Sequence, residues 1–459
     1  MTRKVLETCA AARFFPKNGS VLAAVSGGAD SMALLTFLCS NREALSLSRV
    51  TAAHFNHGLR ETALRDELFV REQCAALGIA CVTGGADVRA EAERAGRGIE
   101  DTARRLRYAF LQQAAKQNGC HRIATGHTAD DNAETMLLNL VRGAGLRGMG
   151  GIAPVRGIIV RPLLTCSRAE IEAYLAERGV SHITDESNED LHFRRNYIRH
   201  ALMPQFKALN PRFPEAALRM AQTLRADEEY LTEQAERTAD GTRETPEGCA
   251  LEACLLAALH PALASRVVRL LYARAGGQEQ ALTQAHIAQM LALCGEDCAP
   301  GAQTALPGGL VARRVYTDWV VGAAFAVSEI TPAVLRPGVS LTLPEQGVVI
   351  RCRAMQPSEK IHNSFNSFTI ASDTIKGDLV VRSRKPGDKL SQPGRNGAKS
   401  LKKLLIECKI PQHKRPGVAV LSDDAGVAAV MGFGPDARCA ADCADGAWEI
   451  SAGGLHSAE

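Results

Sequence analysis

The sequence lacks any segment typical of a membrane span or an export signal. No apolar run approaches the roughly 20 residues that a transmembrane helix needs. The first fifteen residues contain Arg3 and Lys4 but not the continuous apolar core that a signal peptide requires. These absences argue against an integral membrane protein, and we expect a cytoplasmic one.

Closely paired cysteines are absent as well. The chain has 14 cysteines, but no two are spaced as Cys-x-x-Cys. Cys294 and Cys298 are four residues apart, as are Cys439 and Cys443, and neither pair has histidines nearby at zinc-finger spacing. We therefore expect scattered, reduced thiols that pack as small apolar residues rather than a structural metal site.

The net charge is small, but the basic residues are unevenly distributed. The chain has 54 Lys and Arg against 50 Asp and Glu, a formal net charge of +4. Between residues 381 and 415, however, the only acids among many lysines and arginines are Asp388 and Glu407. Such a stretch favours a polyanionic partner, with a solvated protein surface as the alternative. Because aromatic residues are missing from it, we expect contacts to phosphate and sugar rather than base stacking.

The first two hundred residues alternate between short apolar runs and helical patterns. The predicted strands are 21–25, 50–56, 79–83 and 122–125, and the predicted helices between them are 31–40, 62–77 and 99–118. This alternation, at about thirty residues per unit, is typical of βαβ units and a parallel sheet covered on both faces. Ligands of such sheets bind at the carboxyl ends of the strands. Functional residues should therefore follow the strands.

The first predicted strand leads directly into the hexad Ser26-Gly27-Gly28-Ala29-Asp30-Ser31, and a helical pattern follows at once. The two glycines allow a tight turn whose backbone amides approach an anion without an intervening Cβ. These amides and those of the next helix form an anion-binding nest, to which Ser26 and Ser31 add hydroxyl donors. Asp30 would repel a phosphate unless a cation lay between them, and magnesium is the usual one.

The second predicted strand ends in an apolar segment followed by two histidines. Ala53 and Phe55 are candidates for an apolar wall against an adenine ring. For His54 and His57, a functional role and an ordinary place in the loop are equally compatible with the sequence.

The fourth predicted strand leads into Gly126-His127-Thr128-Ala129-Asp130-Asp131 and then Glu134. Thr128 and Asp131 are spaced as a capping box, so a helix should begin here. Acids at a helix N-terminus are favoured by the helix dipole alone. Two adjacent aspartates at the end of a parallel strand are nevertheless good candidates for metal ligands or a catalytic base.

These motifs together resemble the PP-loop ATP pyrophosphatase superfamily. The resemblance rests on "SGGADS", "HFNHGLR", "IEDTARRLRY" and "GHTADDNAET", in this order. It implies cleavage of ATP between the α- and β-phosphates, with the loop holding the pyrophosphate and the AMP passing to an acceptor oxygen. The glycines would then clear space for the leaving pyrophosphate, and Asp30 would hold the magnesium that neutralises it.

Later motifs are similar to those of the tRNA(Ile)-lysidine synthase family. They are "RGAGLRGMGGI", "RPLL", "TDESN", "RRNYIRHALMPQFKALNP", "RSRKPGDKL" and "LKKLLIECKIPQHKR". The resemblance implies an ATP-dependent C–N ligase that adenylates the C2 carbonyl oxygen of the wobble cytidine in an isoleucine tRNA with a CAU anticodon. Free L-lysine then displaces AMP to give lysidine, so that the tRNA reads AUA as isoleucine.

The resemblance also assigns site residues. The catalytic candidates are Asp30, Asp130 and Asp131, of which Asp30 and Asp131 are also the Mg²⁺ ligands. The ATP contacts are Ser26, Gly27, Gly28, Ala29, Asp30, Ser31, Ala53, Phe55, Arg104, Gly126 and His127. The tRNA contacts are Arg195, Asn196, Arg199, Arg382, Arg384, Lys399, Lys402 and Lys403. For Arg104 and its neighbour Arg107, ion pairs with Glu100 and Asp101 are the alternative.

The predicted architecture is α/β, with an N-terminal parallel-sheet nucleotide-binding domain, a mostly helical middle domain and a small α+β C-terminal domain. We place the ATP-binding catalytic domain at 1–213, a helical tRNA- or substrate-binding domain at 214–330, expected to be all-α, and a C-terminal tRNA-binding domain at 365–440. The tail from Asp445 should be loosely held. If the basic stretch does not bind tRNA, the C-terminal domain would need another role, such as holding a homodimer together.

Three rival functions are considered at this point. An amidotransferase-type synthetase would need a glutaminase domain, and no nucleophile motif of that type is present. A tRNA thiolase shares the adenylation step but usually needs paired cysteines for sulfur or an iron–sulfur cluster, and Cys-x-x-Cys is absent. A non-catalytic nucleotide- or RNA-binding regulator should have lost its acids, whereas Asp30, Asp130 and Asp131 are all present.

Overall fold

The computed structural model of the chain describes residues 1–58, 63–183, 194–324, 328–364, 366–394 and 397–454. The chain divides into two compact units, Met1–Tyr230 and Leu231–Glu459. The division falls inside one long helix, which begins at Phe213 and ends at Ala239.

The first unit is built on a mainly parallel sheet. Its strands are β1 (Gly19–Ala24), β2 (Leu47–Asn56), β3 (Cys81–Gly85), β4 (Arg122–Ala124), β5 (Val155–Arg156) and β6 (Ile159–Val160). They lie in the order β3-β2-β1-β4-β6-β5, and every neighbouring pair is parallel except β5 with β6. The predicted α/β architecture of this region is confirmed.

Helices connect and cover these strands. They are α1 (Thr2–Ala11), α2 (Ala29–Ser40), α3 (Ala63–Ala76), α4 (Val88–Ala95), α5 (Ile99–Gln117), α6 (Ala129–Val141), α7 (Leu146–Met149), α8 (Arg168–Glu177), α9 (Arg194–Tyr197), α10 (Met203–Leu209) and α11 (Phe213–Ala239). A π-helical turn, Ile198–Leu202, joins α9 to α10. The predicted helices 31–40, 62–77 and 99–118 correspond to α2, α3 and α5 within two residues at each end.

The central strand β1 is apolar on both faces because helices cover both. Val21 and Ala23 pack into a core cluster with α2 and the first helix, whereas Leu22 packs into a second cluster with α5. Alternate residues of one strand thus enter different cores, which is why the strand is a continuous apolar run rather than an alternating one. Such a run is the signal that identifies the strand in the sequence.

The strand order reverses beside β1, and this reversal locates the ligand crevice. From β1 the chain proceeds to β2 and β3 on one side, and to β4 and β6 on the other. Loops that leave β1 and β4 therefore diverge above the sheet, and open α/β sheets bind ligands at this point. The two motif-bearing loops of the sequence are the ones that follow β1 and β4.

The second unit begins with an antiparallel sheet packed against helices. Its strands are β7 (Arg243–Thr245), β8 (Gly248–Glu252), β9 (Gln303–Leu306), β10 (Leu310–Val315) and β11 (Asp318–Ala323), and its helices are α12 (Ala253–Ala258), α13 (Pro261–Arg274) and α14 (Gln284–Ala292). The strand order is β7-β8-β11-β10-β9. The three helices contain more residues than the five strands, but the expectation of an all-α region is wrong. The fully buried Trp319 joins the two layers by donating its indole N–H to the carbonyl of Met290 at 2.9 Å.

The remainder of the second unit is rich in β-structure. Its strands are β12 (Ala333–Val334), β13 (Ser340–Leu343), β14 (Val348–Ala354), β15 (Ser367–Ala371), β16 (Val380–Arg382), β17 (Lys389–Leu390), β18 (Lys399–Ser400), β19 (Val420–Asp423), β20 (Gly426–Val430), β21 (Gly434–Pro435) and β22 (Ala447–Gly454). A short helix, α15 (Leu401–Glu407), follows β18. The sheets have the orders β12-β16-β19-β20-β21 and β13-β14-β22-β15, and β17 pairs with β18.

The expectation of a loosely held tail is wrong for residues 447–454, whereas residues 455–459 lie outside the described residues. Strand β22 lies between β14 and β15 and pairs with both along its length. Ala447 and Ile450 are buried, Ile450 in the core cluster that also contains Ile350 and Phe368. The segment is short and glycine-rich at its end, so its partners are not evident from the local pattern.

Candidate active site

The loop after β1 is closed on itself by the hydroxyl of Ser31. The backbone N–H groups of Ser26 and Gly27 donate to Ser31 Oγ at 3.1 and 3.2 Å, and Ser31 Oγ donates to the carbonyl of Gly28 at 2.9 Å. Gly27 adopts a φ of +93°, which side chains other than glycine rarely tolerate. The loop thus forms a tight turn at the N-terminal end of α2, as the hexad predicts.

Gly126, in the loop after β4, lies against the first turn of α2. A Cβ on Gly126 would lie 2.8 Å from the carbonyl oxygen of Asp30 and 3.2 Å from the amide nitrogen of Ser31. Both neighbours are backbone atoms, which cannot move aside. The requirement for glycine here comes from close approach of two backbones, and that approach brings the two motif loops together.

A cavity of about 410 Å³ opens between these loops. Of the predicted ATP contacts and acids, it is lined by Ser26, Asp30, Ser31, Ala53, Phe55, Arg104, Gly126, His127 and Asp131. Gly27 and Gly28 belong to the turn itself and Ala29 begins α2; none of the three lines the cavity, and neither does Asp130. Lining residues that the sequence did not assign include Asn56, Asp66, Leu111 and Thr125. One wall is apolar and formed by Ala24, Ala53, Phe55 and Leu111.

The histidines flanking this cavity are held in different ways. His54 is buried, and its Nδ1 lies 2.9 Å from the carbonyl oxygen of Val25. The ring of His57 packs edge-on against Phe55 at a centroid distance of 4.9 Å. His127 Nδ1 lies 2.9 Å from Thr125 Oγ1, and burial lowers the pKa of His127 to about 3. His127 is therefore neutral at physiological pH and acts through hydrogen bonds rather than charge.

Asp131 is positioned by the start of α6. The predicted capping box is present: the Asp131 N–H donates to Thr128 Oγ1, and the Thr128 N–H donates to Asp131 Oδ2 at 2.9 Å. Burial alone would raise the pKa of Asp131, but Arg195, the backbone N–H of Thr128 and Arg199 together hold the pKa below its ordinary value. Asp131 is therefore an anion across the physiological range.

Arg195 and Arg199 turn inward toward the acids of α6. Arg195 donates to Asp131 Oδ1 at 2.9 Å and to Glu134 Oε2 at 3.0 Å. Arg199 donates to Glu134 Oε1 at 2.6 Å and reaches Asp131 Oδ1 at 3.4 Å. The sequence predicted Arg195, Asn196 and Arg199 as tRNA contacts, and that prediction stays untested; two of the three already bind protein carboxylates. The half-buried Asn196 lies between them in the chain.

Asp130 points to a different environment from Asp131. Its Oδ1 accepts from Lys207 Nζ at 2.6 Å, and its Oδ2 accepts from the backbone N–H of Arg168 at 2.8 Å. Arg168 is the first residue of α8. Asp130, in the first turn of α6, thus links the start of α8 and the side chain of Lys207 in α10 to α6. No local pattern signals this role, because Lys207 and Arg168 lie far along the chain.

Among the described acids that line the cavity, Asp30 is the one with a buried oxygen that lacks a hydrogen-bond partner. Its Oδ1 is buried and has no hydrogen-bond partner among the residues that the structure describes. Burial, and then the negative charge of Asp131, raise the pKa of Asp30 to about 6. A buried carboxylate oxygen that faces a second carboxylate is costly unless a cation joins them.

This donor set fits a hard divalent cation. Mg²⁺ is usually held by one or two carboxylates together with substrate phosphates rather than by an all-protein cage. Within the described ranges, no group of three or more His, Cys, Asp or Glu side chains comes together as a metal cage. Asp30 and Asp131 would therefore hold the ion jointly with the nucleotide.

Two neighbouring arginines of α5, Arg104 and Arg107, line the cavity. Arg104, Arg107 and Arg156 lie over the ring of Tyr108, at 5.1, 5.4 and 5.2 Å from its centroid. In the part of the chain that the structure covers, neither Arg104 nor Arg107 forms an ion pair with Glu100 or Asp101, which was the alternative interpretation. Their positive charge is thus available to an anion in the cavity.

The basic residues of the second unit differ in accessibility. Arg382 is buried and forks onto Asp388 at 2.8 and 3.0 Å, and the prediction that it contacts tRNA stays untested. Lys399 pairs with Glu407 at 2.9 Å. Arg384 is half-buried, whereas Lys402 and Lys403 are exposed on α15.

Some motif residues lie outside the described residues. They are Leu59 and Arg60 of "HFNHGLR" and residues 184–188, the "TDESN" motif.

Comparison with known protein families gives matches in three successive regions of the chain. A family model described as the PP-loop domain matches residues 1–206, one described as the TilS substrate binding domain matches 251–318, and one described as the TilS substrate C-terminal domain matches 379–452. The fold and the loop after β1 thus define an ATP-dependent enzyme of the PP-loop class, for which Mg²⁺ is the usual accompanying ion.

Curated relatives specify the family. A tRNA(Ile)-lysidine synthase of Geobacillus kaustophilus is 34% identical over 424 residues, covering 89% of both chains. One of Geobacter sulfurreducens is 35% identical over 419 residues, covering 89% of this chain and 87% of the relative. One of Symbiobacterium thermophilum is 34% identical over 426 residues, covering 87% of each. The chain belongs to the tRNA(Ile)-lysidine synthase family of ATP-dependent ligases, and the resemblance found in the sequence is confirmed.

None of the helices in the described ranges is both long and apolar enough to cross a membrane.

Proposed function

We propose that this chain joins free L-lysine to C2 of the wobble cytidine in a tRNA(Ile) with a CAU anticodon. The C2 oxygen of the cytidine attacks the α-phosphate of ATP, and pyrophosphate leaves. The ε-amine of lysine then attacks C2, the bond from C2 to the adenylated oxygen breaks, and AMP leaves. The product is lysidine, and the modified tRNA reads AUA as isoleucine.

The cavity of the first unit is suited to hold ATP. Its apolar wall, which includes Ala53 and Phe55, matches an adenine ring. The turn around Gly27 and the hydroxyls of Ser26 and Ser31 lie at the positive end of α2, which favours a phosphate group. Arg104 and Arg107, which line the cavity, supply further positive charge.

The acidic residues of the cavity would bind the metal ion and assist the attack by lysine. Asp30 and Asp131 would hold Mg²⁺, which neutralises the charge that develops on the leaving pyrophosphate. Lysine must lose a proton before it attacks, and a carboxylate near the reacting atoms can accept that proton or bind the amine. Asp131 is better placed for this than Asp130, because Asp131 lines the cavity whereas Lys207 and the start of α8 occupy Asp130.

We further assign ATP binding and catalysis to residues 1–213, and tRNA binding to 214–330 and 365–440. Lys402 and Lys403 are the exposed basic residues that best support a phosphate contact in the last segment. Because the substrate is tRNA, we place the enzyme in the cytoplasm. A homodimer is the alternative role for the C-terminal part.

The observation that carries the proposal is the buried, unpartnered Oδ1 of Asp30 in a PP-loop cavity that also contains Asp131. The test is to incubate the purified chain with ATP, Mg²⁺, lysine and a tRNA(Ile) transcript with a CAU anticodon. We expect AMP to be released only when both lysine and tRNA are present, and the nucleoside digest to contain lysidine.

The matched control is the same transcript with guanosine instead of cytidine at the wobble position. Guanosine has no C2 carbonyl, so this transcript should release no AMP. Release of AMP without lysine, or equal release with both transcripts, would contradict the proposal. Transfer of sulfur instead of lysine would favour the thiolase alternative.

A further inference from the structure

A second cavity, of about 310 Å³, lies within the second unit and has no role in the reaction described above. Two segments distant in sequence form its walls. One is the end of β10 and the turn after it, with Arg313, Arg314 and Tyr316, and the other contains Gln412, His413 and Arg415. The first segment lies in the match to the substrate binding domain and the second in the match to the C-terminal domain.

Two of the arginines in the walls of this cavity, Arg314 and Arg415, are held by neutral acceptors. Among the described residues that line it, three are arginines and none is Asp or Glu. Arg314 donates to the carbonyls of Tyr316 and Leu293, at 2.5 and 3.4 Å. Arg415 donates to the carbonyl of Ile410 at 3.0 Å and to the hydroxyl of Tyr316 at 3.5 Å. These acceptors are neutral, so the guanidinium charges are oriented without being neutralised.

The closest acid to this group is already engaged. Glu247 is buried and contacts Lys414 Nζ, and its Oε2 lies 3.5 Å from His413 Nε2. Glu247 thus pairs with Lys414, which does not line the cavity, and its negative charge also acts on Arg313. An anion entering the cavity would meet Arg314 and Arg415 without displacing a carboxylate.

The cavity is also held in shape before any ligand binds. Tyr316 adopts a φ of +53°, a left-handed conformation that is uncommon for a tyrosine. Its hydroxyl donates to the carbonyl of Ile410 at 3.2 Å and so ties the turn after β10 to the second wall. Arginines fixed by such contacts lose less conformational freedom on binding than surface side chains do.

We propose that this cavity binds a backbone phosphate of the RNA substrate, as a contact separate from the ATP cavity. Guanidinium groups match the planar, bidentate geometry of phosphate oxygens. A volume of about 310 Å³ admits a phosphate with part of its neighbouring sugar. The inference depends on the proposed function only in taking RNA as the substrate.

The test is equilibrium binding of tRNA(Ile) to the full chain, without ATP or lysine, over a range of salt concentrations. In the double variant Arg314→Ala with Arg415→Ala, we expect tRNA affinity to fall about tenfold. The slope of log affinity against log salt should shrink by about one for each phosphate that the variant no longer binds. The matched control is Arg351→Ala with Lys360→Ala, which removes the same charge from exposed positions and should change both quantities much less.

A conservative pair of substitutions distinguishes the loss of a phosphate contact from the loss of the folded structure. Arg314→Lys with Arg415→Lys keeps the charge but not the bidentate geometry, so it should retain most of the salt slope and only part of the affinity. Thermal unfolding of each variant checks that the second unit is folded. If the alanine pair binds tRNA as tightly and with the same salt slope as the control pair, the inference is wrong.

Inorganic phosphate distinguishes an RNA phosphate from a free one. Inorganic phosphate could raise the melting temperature of the wild type more than that of the alanine pair, while the wild type and the alanine pair bind tRNA equally tightly. That result would show that the cavity binds free phosphate, and the RNA assignment would be wrong. A failure of the proposed function would look different: tRNA binding would still respond to the variants, but no lysidine would form.

Discussion

Asp30 is the single residue on which the chemistry of the ATP cavity depends most. Its carboxylate is partly buried, its Oδ1 lacks a partner among the described residues, and burial with Asp131 raises its pKa to about 6. Asp30→Asn keeps the volume and removes the charge. We expect thermal stability to be unchanged or slightly higher, because an uncompensated buried charge is removed. Pyrophosphate release should fall roughly 100-fold or more. Wild-type turnover of the variant at saturating Mg²⁺ would show that Asp30 does not hold the metal.

Gly126 supports a prediction about shape rather than charge. In Gly126→Ala, the new Cβ would lie 2.8 Å from the carbonyl oxygen of Asp30. The neighbouring atoms belong to the backbone of Asp30 and Ser31, which cannot shift to relieve this contact. We expect the free energy of unfolding to fall by about 1–3 kcal/mol, as for overpacked sites, together with weaker ATP binding. The comparison is Gly295→Ala, whose Cβ would lie at an ordinary 3.5 Å from its nearest neighbour. Equal stability of the two variants in denaturant titrations would contradict the close approach.

Single residues also mark where prediction from sequence stops. The hexad and the capping box could be predicted, because their hydrogen bonds join residues three to five positions apart. The ion pairs of Arg195 and Arg199 with Glu134 could not, because they join residues 61 and 65 positions apart. An arginine in a basic motif indicates affinity for an anion, but the motif does not say whether that anion is a phosphate or a protein carboxylate.

At the level of elements, the end of β19 provides a test of pH dependence. Asp423 accepts from Arg438 at 2.6 and 3.0 Å and from the amides of Lys376 and Ala425. Burial alone would raise the pKa of Asp423, but these donors hold it below its ordinary value. The stabilisation is therefore complete above about pH 4 and disappears as the pH falls through the lowered, folded-state pKa.

The measurement is urea unfolding of the chain at a series of pH values between 6 and 2. Asp423→Asn should be less stable than the wild type at neutral pH and should be destabilised less by acidification. Asp424→Asn, at the neighbouring exposed position, is the control and should follow the wild type. An identical pH profile for Asp423→Asn and the wild type would rule out this carboxylate as the source.

Elements differ in how well local sequence predicts them. The strands β1, β2 and β4 could be predicted from apolar runs, because each is buried on both faces. The hairpin of β10 and β11 could not, since its two-residue turn is Tyr316-Thr317 rather than the Asn-Gly type that signals a hairpin. The left-handed tyrosine there is tied by its hydroxyl to Ile410, a contact that no local pattern contains.

At the level of the whole molecule, sequence separation decides what is predictable. The PP-loop unit is assembled from successive βαβ units, so local patterns and their order are enough to predict its topology. Strand β22 instead pairs with β14, so that Ile450 faces Cys352 almost a hundred residues earlier. The prediction of a loose tail is wrong for this reason. The cavity between the turn after β10 and residues 411–415 could not be predicted either, because its two walls are far apart in sequence.

The two functions assigned to the chain, ATP chemistry and RNA binding, should be separable by charge reversal far from the PP-loop. Lys402 and Lys403 are exposed on α15, whereas Lys399 pairs with Glu407 and Arg382 is buried with Asp388. In Lys402→Glu with Lys403→Glu, the Michaelis constant for tRNA should rise while those for ATP and lysine stay the same. The slope of log tRNA affinity against log salt should fall by about one for each phosphate that is no longer bound.

The matched control for this charge reversal is Arg351→Glu with Lys360→Glu, which makes the same change in net charge at other exposed positions of the second unit. A general electrostatic effect would weaken tRNA binding equally in both pairs, because long-range attraction depends on total charge. A direct contact would weaken binding much more in the α15 pair and would do so uniformly across tRNA variants, because phosphates carry no sequence information. If the α15 pair keeps its tRNA affinity and salt slope, the basic stretch is a solvated surface. Sedimentation of the same variant would then show whether this face joins two copies of the chain.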